Sequence, residues 1–228
     1  MSVSLCLIVW NELEGCKKDV PLIPRECFDE IYAVDGGSTD GTIEYLESQS
    51  IKVFPQSKRG LNVAYIDASN NSKCDNVVVF FPKGTIDPAF LKDFIPKIEE
   101  NYELIVASRN MKGGRNEEDE HLFRPRKWFV TSLALCAMIL WKREGKPIWD
   151  VLHGIKAFNN KAFKKMDILD YGVSIDIEMV ARAYKKRIPR CEIPVQEFAR
   201  EYGETHFKAF ATGKKLLKYM LFEIFRRN

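Results

Sequence analysis

Residues 31–42 read IYAVDGGSTDGT. An apolar run stops at Asp35, two glycines follow, and the capping types Ser38, Thr39 and Asp40 precede a helix-forming stretch. That succession describes a strand, a tight turn and a helix. In open α/β sheets ligands bind beyond the carboxyl ends of the strands, so Asp35 stands where a carboxylate can accept hydrogen bonds from a ribose or a base. The same residues also read as a plain strand–turn–helix link in which the acid is a cap, and pattern alone leaves both readings open.

The flanking sequence repeats the motif. Apolar, β-rich runs occupy residues 3–9, 28–35, 51–54, 76–81 and 104–108, and helical stretches lie at about 42–49, 61–69 and 88–100. The last has Asp87 as a capping residue and Pro88 at its first position. The run NVVVFF (76–81) is apolar throughout, as a strand buried on both faces requires. Strand–helix alternation with short links predicts an α/β fold with an open, mostly parallel central sheet and helices on both faces.

After residue 110 the pattern changes. MKGGRNEEDE (111–120) is polar and glycine-containing and reads as a loop. A helix over 125–141, a strand or turn over 150–158, a helix over 174–186, a strand over 190–195 and a helix over 207–227 follow. No repeat or linker divides the chain. One domain over 1–228 is expected, with a first half at about 1–110, a second half at about 111–205 and a C-terminal amphipathic helix at about 206–228.

At 228 residues with 46% hydrophobic and 29% charged residues, the composition is globular, neither disordered nor fibrous. The 35 basic and 32 acidic residues give a net charge of +3, too small to argue for nucleic acid. The cysteines at 6, 16, 27, 74, 136 and 191 form no Cys-x-x-Cys pair and lie mostly in apolar runs. They read as small hydrophobes in a reduced, cytoplasmic protein. The opening apolar stretch is too short for a signal or a span, and the longest one, 129–141, falls short of the roughly 20 residues a bilayer requires.

The string VDGGSTDGT resembles the nucleotide-binding signature of glycosyltransferase family 2. Asn11-Glu12 after the first strand, Lys58-Arg59-Gly60, and Ala107-Ser108-Arg109 with Gly113-Gly114 resemble further motifs of that family. So do the stretch from Asp150 through Gly154 to Phe158, the Ile175–Glu178 stretch, and Glu192-Ile193-Pro194 continuing through Arg200 to Gly203. The later motifs are closest to the dolichyl-phosphate mannose synthase branch, and all of them keep its order over nearly the whole chain. The resemblance implies a GT-A fold and an inverting transfer from a nucleotide-diphosphate sugar, of UDP or GDP type, to a lipid phosphate or a saccharide. It places Glu12, Asp35, Gly37 and Arg59 around the nucleotide and Arg200 on phosphate. Arg109, with Arg124 or Arg126, together with His153 and Glu178, is placed on the acceptor side. Arginine suits phosphate because its planar fork binds two oxygens at once.

The sequence departs from the family at one place. Where the fourth strand should run into Asp-x-Asp, which binds Mg²⁺ or Mn²⁺, this chain has Pro82-Lys83-Gly84. Neither Pro82 nor Gly84 has a side-chain oxygen, and oxygen is what those ions take. A leaving diphosphate still needs a positive partner. Three readings stay open: a metal-independent transferase using Lys83 and Arg200, an enzyme recruiting metal through Asp87 or Asp150, or a nucleotide-sugar binding protein without catalysis. A hydroxyl acceptor would need a base, for which Asp150 and His153 stand before the Gly154 turn. An ionised phosphate would need none.

The last helix repeats apolar residues at helical spacing and carries Lys214, Lys215 and Lys218. Such a helix either lies in a membrane interface or packs its apolar face on the domain. The first fate would put the protein at the inner face of a membrane as a peripheral partner.

Overall fold

The computed structural model describes residues 1–116, 119, 124–199 and 209–226. Its centre is β1 (Val3–Val9), whose residues are all buried. Leu5, Leu7 and Val9 point to one face of the sheet and Cys6 and Ile8 to the other. This is the two-periodicity of a strand with helices on both sides. β2 (Glu30–Asp35) and β4 (Asn76–Phe80) flank it in parallel, and β3 (Lys52–Pro55) extends the β2 edge. The other half holds β5 (Leu104–Ser108), β6 (Lys156–Asn159) and β7 (Arg190–Pro194). The order of the seven strands is β3-β2-β1-β4-β6-β5-β7. β6 runs antiparallel between β4 and β5, with Phe158 opposite Val77 on one side and Leu104 on the other.

Helices cover both faces, as expected. α1 (Leu13–Asp19), α2 (Thr42–Ser48) and α4 (Phe94–Glu99) bury Cys16, Leu46, Phe94 and Ile98 on one side. On the other lie α3 (Leu61–Asn71), α5 (Pro125–Trp141), α6 (Asn160–Met166), α7 (Ile175–Lys185) and α8 (Ala209–Phe225). Most strands and helices expected from the sequence are present with ends shifted by a residue or two, but the strand expected over 150–158 begins only at Lys156.

Two helices go beyond the sequence reading. α1 and α6 are single short pieces of seven residues, too brief to show a helical period. α6 starts where the Asn159 side chain accepts from Lys161 and Ala162 N–H. The expected helix over 88–100 is divided into a 3₁₀ turn at Pro88–Asp93 and α4. Pro96 has no N–H to give the carbonyl of residue 92, and its ring would crowd that carbonyl in a continuous helix.

Candidate active site

The carboxyl ends of β1, β2 and β4 open on one side of the sheet. The loop after β1 and the turn after β2 are stitched together there. Asn11 N–H donates to Ser38 Oγ at 2.8 Å, and Thr39 N–H donates to Asn11 Oδ1 at 2.8 Å. Glu12 N–H donates to Thr42 Oγ1 at 3.1 Å, and Leu13 N–H to Asp40 Oδ2 at 3.0 Å. Burial pushes the Asp40 carboxyl up, but the donors from Thr42 and Leu13 outweigh it and hold the group below its ordinary range.

Asp35 is buried and turns back on its own chain. Its Oδ2 accepts Gly37 N–H at 2.7 Å and Ser38 N–H at 2.9 Å, while Ser38 Oγ–H donates to Oδ1. Gly37 supplies the positive φ of +95° that the turn needs. Asp35 and Gly37, expected to face a ligand, both shape the turn, and Gly36 lines the cavity beside Trp10 and Glu12. A carboxylate with three local donors has little reason to point outward.

That cavity has a volume of about 530 Å³ and is also lined by Gln56, Arg59, Phe81, Lys83 and, from α8, Lys215. The Arg59 guanidinium lies 5.8 Å from the Trp10 ring centroid. A second cavity of about 250 Å³ adjoins it, lined by Thr85, Arg109, His153, Asp176, Glu197 and Thr212 among others. Leu61, Phe81, Lys83 and Val173 belong to the walls of both.

Lys83 therefore sits at the junction of the two cavities, and α1 sets its position. Gly84 N–H donates to Asp19 Oδ2 at 2.8 Å. Gly15 lets α1 approach the turn so closely that a Cβ there would lie 2.2 Å from the Pro82 carbonyl oxygen. Gly15→Ala should displace the Lys83 turn and destabilise the protein by about 1–3 kcal/mol, read as a lower midpoint in urea with an unchanged slope. Residues 82–84 present no side-chain oxygen, and among the described residues no cluster of three His, Cys, Asp or Glu side chains is arranged to hold an ion. The turn does not fit a divalent cation as a carboxylate pair would.

The second cavity contains a charge cluster. Arg109 gives Nε and Nη2 to the two oxygens of Asp150 at 2.8 and 3.0 Å, and Nη1 to Glu197 Oε2 at 2.8 Å. Arg109 N–H also donates to Asp150. Burial opposes the charge on Asp150, but Arg109 dominates and holds the carboxyl at about 2. Asp150 has no exposed surface. Three donors from Arg109 and full enclosure leave Asp150 poorly placed as a base or a metal recruiter. Asp87 caps the 3₁₀ turn through Ala89 N–H.

His153 is nearly fully buried beside this cluster, and its Nδ1 has no hydrogen-bond partner. Burial, reinforced by Arg109, lowers its pKa from 6.5 to about 4. The unfolded chain binds this proton more readily than the folded one, so the associated stability is fully present above pH 6.5 and is lost as pH falls through 4. The unfolding free energy from urea titrations should fall over that window by up to roughly 3 kcal/mol, and His153→Gln should flatten that pH dependence.

Glu178 does not line either cavity. It is fully buried, accepting from Asn62 Nδ2, Ser174 Oγ, Leu169 N–H and Arg226 Nη1, each at 2.9 Å. These bonds give it a positioning role. It holds the 169–174 segment, and hence Val173, against the start of α3. Arg226 joins the same hub from the residue after α8. Arg200 lies outside the described residues, and of Arg126 only its place in α5 is described. Arg124 donates to Asp119 at 3.1 Å.

Of the two fates expected of α8, packing on the domain is seen along one arc. Leu216, Tyr219, Met220 and Glu223 are buried against the domain, and Thr212, Lys215 and Leu216 form cavity wall. Leu217, Leu221, Phe222, Ile224 and Phe225 stay exposed, as do Trp128, Leu135 and Ile139 on α5. The two helices adjoin, with the Phe129 ring beside Gly213. Among the described residues no helix is long and apolar enough to cross a membrane.

Gly36, one of the two glycines after Asp35, and Glu197 complete the site. Both lie inside stretches that carry the motifs, but nothing local marks the partner Glu197 finds 88 residues away.

The model of Glycosyl transferase family 2 matches residues 9–167. Over 209 residues the chain is 23% identical to glycosyltransferase AglJ of Haloferax volcanii, covering 88% of this chain and 65% of that protein. Over 233 residues it is 24% identical to dolichol-phosphate mannosyltransferase of Pyrococcus furiosus, covering 96% and 62%. The chain thus spans just under two thirds of these relatives' lengths. It superposes on glucosyl-3-phosphoglycerate synthase of Mycobacterium tuberculosis, solved with Mn²⁺, UDP and glucosyl-3-phosphoglycerate, with a TM-score of 0.73 at 16% identity, covering 100% of this chain and 81% of that one. The same enzyme with phosphoglyceric acid gives a TM-score of 0.74 at 16% identity, covering 100% and 81%. With the strand order above, this likeness makes the fold GT-A. More than half of its length lies within the family model, and the chain belongs to glycosyl transferase family 2.

Proposed function

We propose that this chain transfers a sugar, with inversion, from a nucleotide-diphosphate donor of UDP or GDP type to an acceptor presented at a membrane face. The observation that carries the reading is the place of Lys83 in the walls of both cavities. The larger cavity, with Glu12, Gly36, Arg59 and Trp10, has the volume and polarity to take a nucleotide. The smaller one takes the acceptor. The bond between the anomeric carbon and phosphate oxygen then breaks at their junction, beside an ammonium that offsets the charge appearing on the diphosphate. Arg200 is proposed as a second cation. The mycobacterial synthase was solved with UDP, and the name of the Pyrococcus relative includes a polyprenol phosphate. Both support donor and acceptor classes of this kind.

Transfer of radiolabelled sugar from UDP-glucose and GDP-mannose into a membrane lipid extract tests the activity. Labelled product that survives EDTA supports it. Nucleotide binding without transfer from any donor would instead favour a non-catalytic binding protein.

The membrane part of the proposal rests on the exposed apolar residues of α5 and α8, with Lys214 and Lys218 exposed beside them. A basic amphipathic surface binds anionic lipid interfaces. The protein should float with phosphatidylglycerol vesicles and much less with phosphatidylcholine. Leu221→Glu with Phe225→Glu should abolish flotation without lowering thermal stability, since both side chains are exposed.

A further inference from the structure

We infer that Lys215, carried into the site by α8, binds the diphosphate of the intact donor, which makes the C-terminal helix part of the nucleotide site. The inference rests on the transferase reading above and adds a residue to its donor site.

Three observations support it. The first is the stripe on which Lys215 lies. Thr212, Lys215, Leu216 and Tyr219 follow the spacing of one helix face. Leu216 and Tyr219 on that face are buried against the domain, and Thr212, Lys215 and Leu216 form cavity wall. The domain-facing arc of α8 thus brings a lysine to the larger cavity. Lys215 is exposed there, so a ligand entering from solution can reach it.

The second is the charge of that wall. Among the described residues, Arg59, Lys83 and Lys215 stand against Glu12. The three cations come from the loop after β3, the turn after β4 and α8. Like charges that converge on one cavity repel one another, and a diphosphate among them relieves the repulsion. A nucleoside alone does not.

The third is how α8 is held. Glu223 has no exposed surface and accepts from Arg182 Nη1 at 3.2 Å, Lys185 Nζ at 3.0 Å and the Tyr219 hydroxyl at 2.8 Å. Arg226 donates to Glu178, which also accepts from Asn62 in α3 and from Leu169 N–H. Glu178 therefore links the end of α8 to the start of α3 and to the 169–174 segment. Those two elements supply Leu61, Ala64 and Val173 to the same wall. This anchoring fixes the rotation of α8, and with it the face that Lys215 occupies about two turns before Glu223.

Lys215 and Lys83 act at different moments. Lys83 lies at the junction of the cavities, where the bond breaks, and Lys215 lines the larger cavity. Lys215 meets the charge that the donor carries before reaction. An interaction made equally with the bound donor and the transition state is expressed in KM and not in kcat.

The full chain and its Lys215→Ala, Lys215→Arg and Lys92→Ala variants would be titrated calorimetrically with UDP, GDP, uridine and guanosine, and assayed across UDP-glucose and GDP-mannose concentrations. Lys92 is exposed on the 3₁₀ turn and controls for the loss of one positive charge. Lys215→Ala should weaken the diphosphate that wild type binds about tenfold and its nucleoside less than about twofold. It should raise donor KM about tenfold, with kcat within about threefold and Tm unchanged. Lys215→Arg, which keeps the charge, should stay within about threefold of wild type, and Lys92→Ala within about twofold. A lipid phosphate offers the same chemistry as the diphosphate, so flotation with phosphatidylglycerol vesicles separates the two sources. Lys215→Ala should float like wild type. Diphosphate affinity within about twofold of wild type in Lys215→Ala overturns this inference alone. So does equal weakening of diphosphate and nucleoside, a loss in kcat at unchanged donor KM, or lost flotation with nucleotide binding intact. No binding of UDP or GDP by wild type overturns the transferase reading and this inference with it.

Discussion

Lys83→Ala lowers turnover about 10²- to 10³-fold and leaves the donor KM within about threefold. The asymmetry follows from when the charge appears. In the bound donor the diphosphate charge is partly masked by the sugar ester, and the walls around Trp10, Glu12 and Arg59 hold the nucleotide independently of residue 83. As the sugar–phosphate bond breaks, one further negative charge develops at the cavity junction, where Lys83 lies. An interaction that strengthens only then is lost from kcat and from kcat/KM in equal measure. Lys83→Arg keeps the charge but sets a planar fork where a compact ammonium stood, so it should recover part of the rate. Initial rates across donor concentrations for wild type and both variants check this. A tenfold or greater rise in KM at unchanged kcat would reassign Lys83 to ground-state binding.

Asp150→Ala destabilises the protein by about 3–5 kcal/mol. Asp150 takes three donors from Arg109 and has no exposed surface. Removing it leaves a largely buried guanidinium with Glu197 as its remaining carboxylate partner. For a chain of this size the loss corresponds to roughly 6–20 °C in Tm. Asp150→Asn keeps one acceptor oxygen and should cost less. A catalytic base would behave differently, with activity collapsing at near-normal stability. Thermal melts and rates on the same preparations separate the two cases.

The residues legible in the sequence were those whose role is local. The end of β2 at Asp35, the turn glycines and the helix after them are fixed by neighbours in the chain, so strand, turn and helix were found in place. Lys83 stood out because Pro82 and Gly84 on either side of it carry no side-chain oxygen. What Asp35 does with its oxygens was not, because donors from Gly37 and Ser38 compete with any ligand and only the folded turn shows the outcome. Contacts distant in sequence were silent. Gly15 is an unremarkable helix residue until α1 meets the Pro82 carbonyl. Glu178 reads as an acid at a helix start, and its burial depends on Asn62 and Arg226 from other elements. β6 carries an ordinary apolar pattern, and nothing in it states that it runs against β4 and β5. In α8 the apolar residues surround too much of the helix for periodicity to choose between packing and exposure, and the structure uses one arc for each.

The central claim is that a lysine stands in contact with the diphosphate at the junction of the two cavities. A crystal structure of the full chain with UDP or GDP, grown with Mn²⁺ present, tests it most directly. The account predicts Lys83 Nζ within hydrogen-bonding distance of a β-phosphate oxygen, with no ion between them. A manganese ion bridging the phosphates to protein carboxylates, with Lys83 turned away, would contradict it.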